Sequence, residues 1–295
     1  MASAMGIGTC IVSRNPDVAF LNQHAPGTHA LSLSAFNGPT GRDLVQKASA
    51  VVYMVGRGTP GTGYTPGFLT FELDPAFELM ERLANENPNA RLIYISSGGA
   101  IYGDCAEPAD EDQALKPVSL YGLSRVMLEQ SVQYYARRFG LSYRILRISN
   151  PIGRWQVPGA IGLVAHGLAR AQDGKPLLIY GDGSAVRDYV DADDVARAII
   201  CAAMDETQQL GRIWNVGSGI GHSINAALAM IEESTGRKIN TVFADRRPFD
   251  VARNVLNIRR IEAELGWKPT LDLGGAVKKV SREWAGAAGD GLRIG

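Results

Sequence analysis

A chain of 295 residues, 45% hydrophobic and 20% charged, is long enough for one large α/β core or two unequal domains and reads as a soluble globular protein. Its 30 basic and 30 acidic residues cancel without forming a block of like charge, which argues against a nucleic-acid or membrane partner. The three cysteines, Cys10, Cys105 and Cys201, are widely spaced and form no Cys-x-x-Cys pair, so neither a disulfide framework nor a metal site is expected; with no signal segment and no apolar run of roughly 18 residues, the expected compartment is the cytoplasm.

Taken in chain order, the β-branched runs Thr9–Ser13, Ala50–Val55, Arg91–Ser96 and Ser142–Ile148 alternate with segments whose apolar residues recur at helical spacing. That is the rhythm of a parallel sheet covered by helices. Gly6-Ile-Gly8 has too few residues before it for a strand, and Pro16 stands against a helix directly after it, so it does not suit a phosphate-binding turn. The glycine-rich loop Gly56–Gly67 leaves the end of the strand Ala50–Val55. Ligands of open α/β sheets bind at such ends, and a plain surface turn is the equal alternative. Asp74-Pro75 suits an N-cap and first helical position, predicting a helix over Phe77–Asn85 that closes before Pro88.

A further helix is predicted from near Ser119 to Gly140, a natural C′ residue. Tyr121 then sits in its first turn, with Arg125 one turn later on the same face. Spacing alone makes these a packed ring and a solvated charge by default. If the pair acts together, the positive end of the helix dipole and Arg125 both lower a phenol pKa that starts near about 10. Beyond Pro151 a Gly- and Pro-rich stretch runs to Gly183, followed by a helix over Asp193–Met204, a strand over Arg212–Val216 and a second glycine loop, Gly217–Gly221. The C-terminal third reads as a smaller mixed lobe.

Four segments in this order carry a resemblance: Ser96-Ser97-Gly98-Gly99-Ala100-Ile101-Tyr102-Gly103, Tyr121-Gly-Leu-Ser-Arg125, Arg147-Ile-Ser-Asn150-Pro151 and Gly181-Asp-Gly-Ser-Ala-Val-Arg187-Asp188-Tyr189. Together they resemble the extended short-chain dehydrogenase/reductase family, and within it the nucleotide-sugar epimerases of the UDP-glucose 4-epimerase type. The likeness continues through Asn215-Val-Gly-Ser-Gly219, Arg247-Pro-Phe-Asp250 and Glu264-Leu-Gly-Trp267, covering nearly the whole chain.

The resemblance implies a Rossmann-type doubly wound parallel sheet over residues 1–150, completed by about 187–217, that holds NAD. It implies a smaller α/β lobe, 151–186 and 218–295, that holds a nucleoside-diphosphate sugar. Tyr121 matches the group that removes a sugar hydroxyl proton as hydride leaves, and Arg125 stands where the family has lysine. Ser13, Arg14, Val55, Gly56, Ser96, Ser97 and Pro151, with Tyr121 and Arg125, match positions around the cofactor. Arg14 also suits a 2′-phosphate, which makes NADP the alternative. Gly98, Asn150, Arg187, Arg247 and Asp250 match positions around the sugar nucleotide, the arginines beside its diphosphate and Asp250 beside its ribose. A homodimer through the Tyr121 helix is implied; Leu128 and Tyr135 on that helix equally suit internal packing.

Departures from the family pattern accompany the matches. Gly98 stands in place of a serine or threonine, Ala100 also lacks an oxygen, Glu72 stands in place of an asparagine, and arginine is not equivalent to lysine. Gly98-Gly99 also lacks the acidic pair of a sugar 4,6-dehydratase. Thr9–Ser13 reads as the family's second strand, so the first strand and its glycine turn are expected to be missing. Two alternatives to an epimerase follow: a non-catalytic sugar-nucleotide-binding protein, and an NADP-dependent reductase.

Overall fold

The computed structural model describes residues 1–157, 162–207 and 209–289; parts of the expected substrate lobe, residues 158–161 and 290–295, lie outside the described residues. The N-terminal part comprises β1 (Thr9–Ser13), α1 (Val18–His24), β2 (Thr28–Ser32), α2 (Leu33–Phe36), α3 (Pro39–Lys47), β3 (Ala50–Tyr53), α4 (Phe68–Glu86), β4 (Arg91–Ser97), α5 (Gly98–Ile101), α6 (Leu120–Phe139) and β5 (Tyr143–Ile148). It is followed by β6 (Asn150–Ile152), α7 (Leu163–Asp173), β7 (Leu177–Tyr180), β8 (Val186–Asp191), α8 (Ala192–Ala203), β9 (Gly211–Val216) and β10 (Gly221–Ser223). The chain closes with α9 (Ile224–Thr235), β11 (Thr241–Ala244), β12 (Arg253–Asn254), α10 (Arg259–Leu265) and α11 (Leu273–Gly289).

The central sheet has the order β3-β4-β5-β9, all parallel. Alternation along β4 explains its two covered faces. Leu92 and Tyr94 join Leu79, Met80, Leu83, Leu128 and Val132 under α4 and α6, whereas Ile93 joins Val195, Ala198 and Ile261 under α8 and α10. A separate apolar core gathers α7, α9 and α11 around Val164, Leu168, Ile231, Val277 and Trp284. The register places Ser96 beside Arg147 and Arg147 beside Asn215, so the chemistry-bearing residues form a row at the carboxyl ends of the strands.

The expected parallel sheet is present, with corrections in detail. Strand β1 pairs in parallel only with β2, in a two-stranded sheet of its own, and no strand precedes it among the described residues. Ahead of it stand a short 3-10 turn, Ser3–Met5, and Gly6 at φ +73°. The helix expected over Phe77–Asn85 begins at Phe68 and contains Pro75. The stripe Phe68, Glu72, Ala76, Leu79, Met80 and Leu83 is buried along one face, and that packing extends the helix through a proline whose ring removes one backbone donor. Strand β3 ends at Tyr53, leaving Met54 and Val55 exposed. Helix α6 agrees closely, with Ser119 Oγ accepting from Gly122 N–H at 3.0 Å and Gly140 at φ 74° ending it. Leu128 and Tyr135 pack inside, leaving Leu123, Met127, Tyr134 and Phe139 as the exposed apolar residues of that helix. No described helix is long and apolar enough to cross a membrane, and no group of metal-ligating side chains occurs among the described residues.

Candidate active site

Helix α6 can deliver Tyr121 to the ends of the central strands because Gly122 lets it approach α5. A Cβ at residue 122 would lie 2.4 Å from the Ala100 carbonyl oxygen. The phenol thereby reaches Ser97 at the end of β4. Burial raises the Tyr121 pKa above its usual value, and a hydrogen bond with Ser97 opposes that rise. This corrects the expectation of a lowered phenol. The Arg125 guanidinium lies 5.1 Å from the Tyr121 ring centroid, as the helical spacing requires, but it is bonded to the buried Glu72 carboxylate. A cation shared with a carboxylate exerts less pull on the phenol than a lone one.

Gly98, where the family pattern has a hydroxyl, is enclosed. A Cβ there would lie 2.6 Å from Leu256 Cδ1 and 3.0 Å from the Arg147 carbonyl oxygen. Ser97, one residue earlier, supplies a hydroxyl that acts on the phenol. Asn254, fully buried, donates from Nδ2 to the Gly98 carbonyl at 3.2 Å, and its Oδ1 has no partner among the described residues. Asn150 donates to the Asp188 carbonyl at 2.8 Å, and its amide lies within 4 Å of the Cβ position of Gly99. Residues 97–99, 121, 150 and 254 thus belong to one site.

Strand β8 links this end to the sugar-nucleotide candidates, since its Arg187 is opposite Asn254 of β12 in the register. Burial lowers the Arg187 pKa, and Tyr189 and Asp250 oppose the change. Arg247 and Asp250 are bonded to each other through two contacts of 2.9 and 2.7 Å, and the guanidinium stacks 4.3 Å from the Tyr180 ring centroid. The expected diphosphate and ribose groups therefore form a preassembled polar edge. Asp188, fully buried beside them, accepts from Ser218 N–H at 2.7 Å and from Leu256 N–H at 3.2 Å, tying β8 to the Gly217–Gly221 loop and the β12 segment.

The cofactor candidates divide into two groups. Ser96, Ser97, Tyr121, Arg125 and Gly56 converge: a Cβ on Gly56 would lie 3.2 Å from Arg125 Nη1. This hydroxyl-, phenol- and cation-bearing corner fits the reacting end of a nicotinamide dinucleotide. Ser13 ends β1 in the separate sheet and Arg14 follows it, Val55 is exposed, and Pro151 is exposed on β6. The Gly6–Gly8 turn leads directly into β1, so among the described residues no strand–glycine turn–helix unit forms a pyrophosphate cradle before residue 20.

Sequence reasoning missed the buried chain behind the site. Ser96 Oγ donates to Glu129 Oε1 at 2.6 Å, and Arg147 donates to Glu129 at 2.6 Å and to Tyr102 Oη at 2.8 Å. Tyr102 in turn donates to Asn215 Oδ1 at 2.8 Å. Burial alone would lower Arg147, but its hydrogen bonds with Glu129 raise its pKa above the usual range. The available signal was a glutamate on the inward face of a helix opposite an arginine in a strand core.

The profile of the NAD dependent epimerase/dehydratase family matches residues 24–217. A putative UDP-glucose 4-epimerase of Methanocaldococcus jannaschii is 34% identical over 192 residues, 64% of this chain and 61% of that protein. A dTDP-4-dehydro-6-deoxyglucose reductase of Escherichia coli is also 34% identical, over 66% of this chain and 61% of that protein. The chain thus spans about three fifths of the length of these curated relatives, 61% in both cases. Among solved structures, UDP-glucose 4-epimerase of Thermotoga maritima with UDP-glucose superposes with a TM-score of 0.85 at 26% identity, covering 97% of this chain and 94% of that one. The UDP-glucose 4-epimerase of Thermus thermophilus in complex with NAD gives 0.79 at 26% identity, covering 95% of this chain and 99% of that one. The chain belongs to the NAD dependent epimerase/dehydratase family.

Proposed function

We propose that this protein carries out oxidation and reduction at a hexose carbon of a nucleoside-diphosphate sugar, as a UDP-glucose 4-epimerase-type enzyme with NAD. The observation that carries the reading is the placement of the Tyr121 phenol against Ser97 at the strand ends, in one site with Asn150 and Asn254. NAD, held at the corner formed by Ser97, Tyr121 and Arg125, would supply the hydride acceptor and donor for the sugar carbon. Tyr121 takes the proton from the hydroxyl on that carbon and gives it back on reduction, and Ser97 orients the phenol. Arg187 and Arg247 hold the diphosphate through planar donors, and Asp250 accepts from the ribose. Residues 151–186 and 218–295 form the substrate lobe in this reading, and the exposed apolar residues of α6 form the contact of a homodimer.

A non-catalytic sugar-nucleotide binder is the second reading. It is favoured by the raised Tyr121 pKa and by the Glu72 carboxylate on Arg125. Acid release of small molecules from the purified protein separates the two readings. NAD in stoichiometric amount supports the enzyme; a nucleotide sugar without NAD supports the binder.

A further inference from the structure

The Tyr121 site contains a carboxylate for which the proposed reaction has no use. Glu72, on α4, is 1% exposed. Its Oε1 accepts from the backbone N–H groups of Arg57 at 2.6 Å and Gly58 at 2.9 Å, and its Oε2 accepts from Arg125 Nη2. One side chain therefore joins the loop after β3 to α6. The fit around this junction is close: a Cβ on Gly56 would lie 3.2 Å from Glu72 Oε2, and one on Gly58 would lie 3.0 Å from Tyr121 Cδ2 and 2.8 Å from Phe68 Cζ. Neither glycine has a positive φ, so what each contributes is room for the loop to lie on Arg125 and Tyr121.

Every element facing this corner bears on its charge. Tyr94 of β4 feels the charges of Tyr121 and of Glu129 on α6, while Tyr53 of β3 feels those of Arg125 and of Glu78 on α4. Ser97 lies near the phenol and opposes the rise in its pKa. Among the described residues Glu72 is the carboxylate bonded to Arg125, whose Nε has no partner. Burial lowers the Arg125 pKa to about 10, which still leaves the guanidinium charged at neutral pH. A guanidinium lying over the Tyr121 ring, 5.1 Å from its centroid, would favour phenolate if no carboxylate opposed it.

Resting on the reading of Tyr121 as the proton-transfer group, we propose that Glu72 is a positioning residue: by holding Arg125 and the Arg57–Gly58 backbone on one carboxylate, it keeps Tyr121 a neutral phenol and fixes the loop over its ring. The substitution of a carboxylate for an amide and of arginine for lysine become one coupled change instead of two separate losses.

The test is a tyrosinate ultraviolet titration of the full chain, with the signal of Tyr121 isolated by subtracting the Tyr121→Phe protein. The wild-type midpoint is expected at or above the ordinary phenol value of about 10. Glu72→Gln is expected to lower it by about one pH unit or more, and Glu72→Asp, which keeps the charge, to leave it in place. A Glu72→Gln midpoint equal to wild type overturns the proposal, and so does a wild-type midpoint well below about 10. A wild-type midpoint at or above about 10 follows from burial alone, so where Glu72→Gln fails to fold, Glu72→Asn is titrated in its place with the same two outcomes. The titration reads the phenol directly, so an inactive protein still answers it. Turnover abolished by Tyr121→Phe together with an unmoved Glu72→Gln midpoint would remove the Glu72 role and leave that of Tyr121 intact.

Discussion

Leu256 occupies the space that a side chain on Gly98 would need, with its Cδ1 2.6 Å from the Cβ position. The missing hydroxyl at residue 98 is therefore built into the packing of α5 against the β12 segment. Restoring it by substitution alone is opposed by sterics, because both methyl groups of Leu256 and the Arg147 carbonyl crowd that point and must shift.

Gly98→Ser should accordingly destabilise the protein by about 1–3 kcal/mol and give no gain in turnover. Urea unfolding of Gly98→Ser and of Gly98→Ser/Leu256→Ala checks this. The double variant should lose less than the sum of the two single losses, since the smaller residue vacates the space the serine requires.

Arg147 and Glu129 form a buried pair, with side chains 4% and 0% exposed. Arg147→Met leaves the Glu129 carboxylate buried without its cation and should cost about 3–5 kcal/mol. Arg147→Met/Glu129→Gln should recover part of that loss, as measured by denaturant midpoints at constant m-value. Ser96 loses its acceptor charge in the double variant, so the end of β4 beside Tyr121 should also become less protected against hydrogen exchange.

The tyrosines make folding sensitive to alkali. Burial raises the pKa values of Tyr53 and Tyr189 to about 12 in each case. The unfolded chain loses these protons from about 10 upward while the folded chain keeps them. Stability is therefore complete below the unfolded value and falls as pH rises between the two, by about 1.4 kcal/mol per pH unit for each group. Tyr53→Phe should remove one share of that slope at no cost in hydrogen bonds, because the Tyr53 hydroxyl has no partner among the described residues. Urea unfolding across the alkaline range measures it.

The polar edge made by Arg247 and Asp250 is partly exposed, at 40% and 14% of their side chains. Removing Arg247 should change stability by less than about 1 kcal/mol. Its loss should weaken nucleotide-sugar binding roughly 10- to 100-fold, the worth of a charge-assisted contact. Calorimetric titration of Arg247→Met with UDP-glucose, beside a urea curve of the same variant, checks both parts.

The legibility of this chain follows its periodicities. The β4, β5 and β9 strands and the α6 helix were readable because alternation, an N-cap serine and a C′ glycine all agree at these elements. The start of α4 was not readable, since Pro75 is a local stop signal that the buried stripe from Phe68 overrides only in three dimensions. The Tyr121–Arg125 proximity followed from helical spacing, but the sign of the phenol shift did not. That sign follows from burial, and the Glu72 carboxylate that takes up Arg125 lies 53 residues away in sequence, so neither is visible before α4 packs on α6.

Turnover is the most direct test of the central claim that Tyr121 moves a proton on a sugar nucleotide in this chain. Purified protein incubated with UDP-glucose and NAD, with products separated chromatographically, should yield the 4-epimer; Tyr121→Phe should lower the rate roughly 100- to 10,000-fold while retaining nucleotide-sugar binding. Epimerisation that continues unchanged in Tyr121→Phe, or UDP-glucose recovered unaltered from wild-type protein that demonstrably binds both UDP-glucose and NAD, would contradict the account.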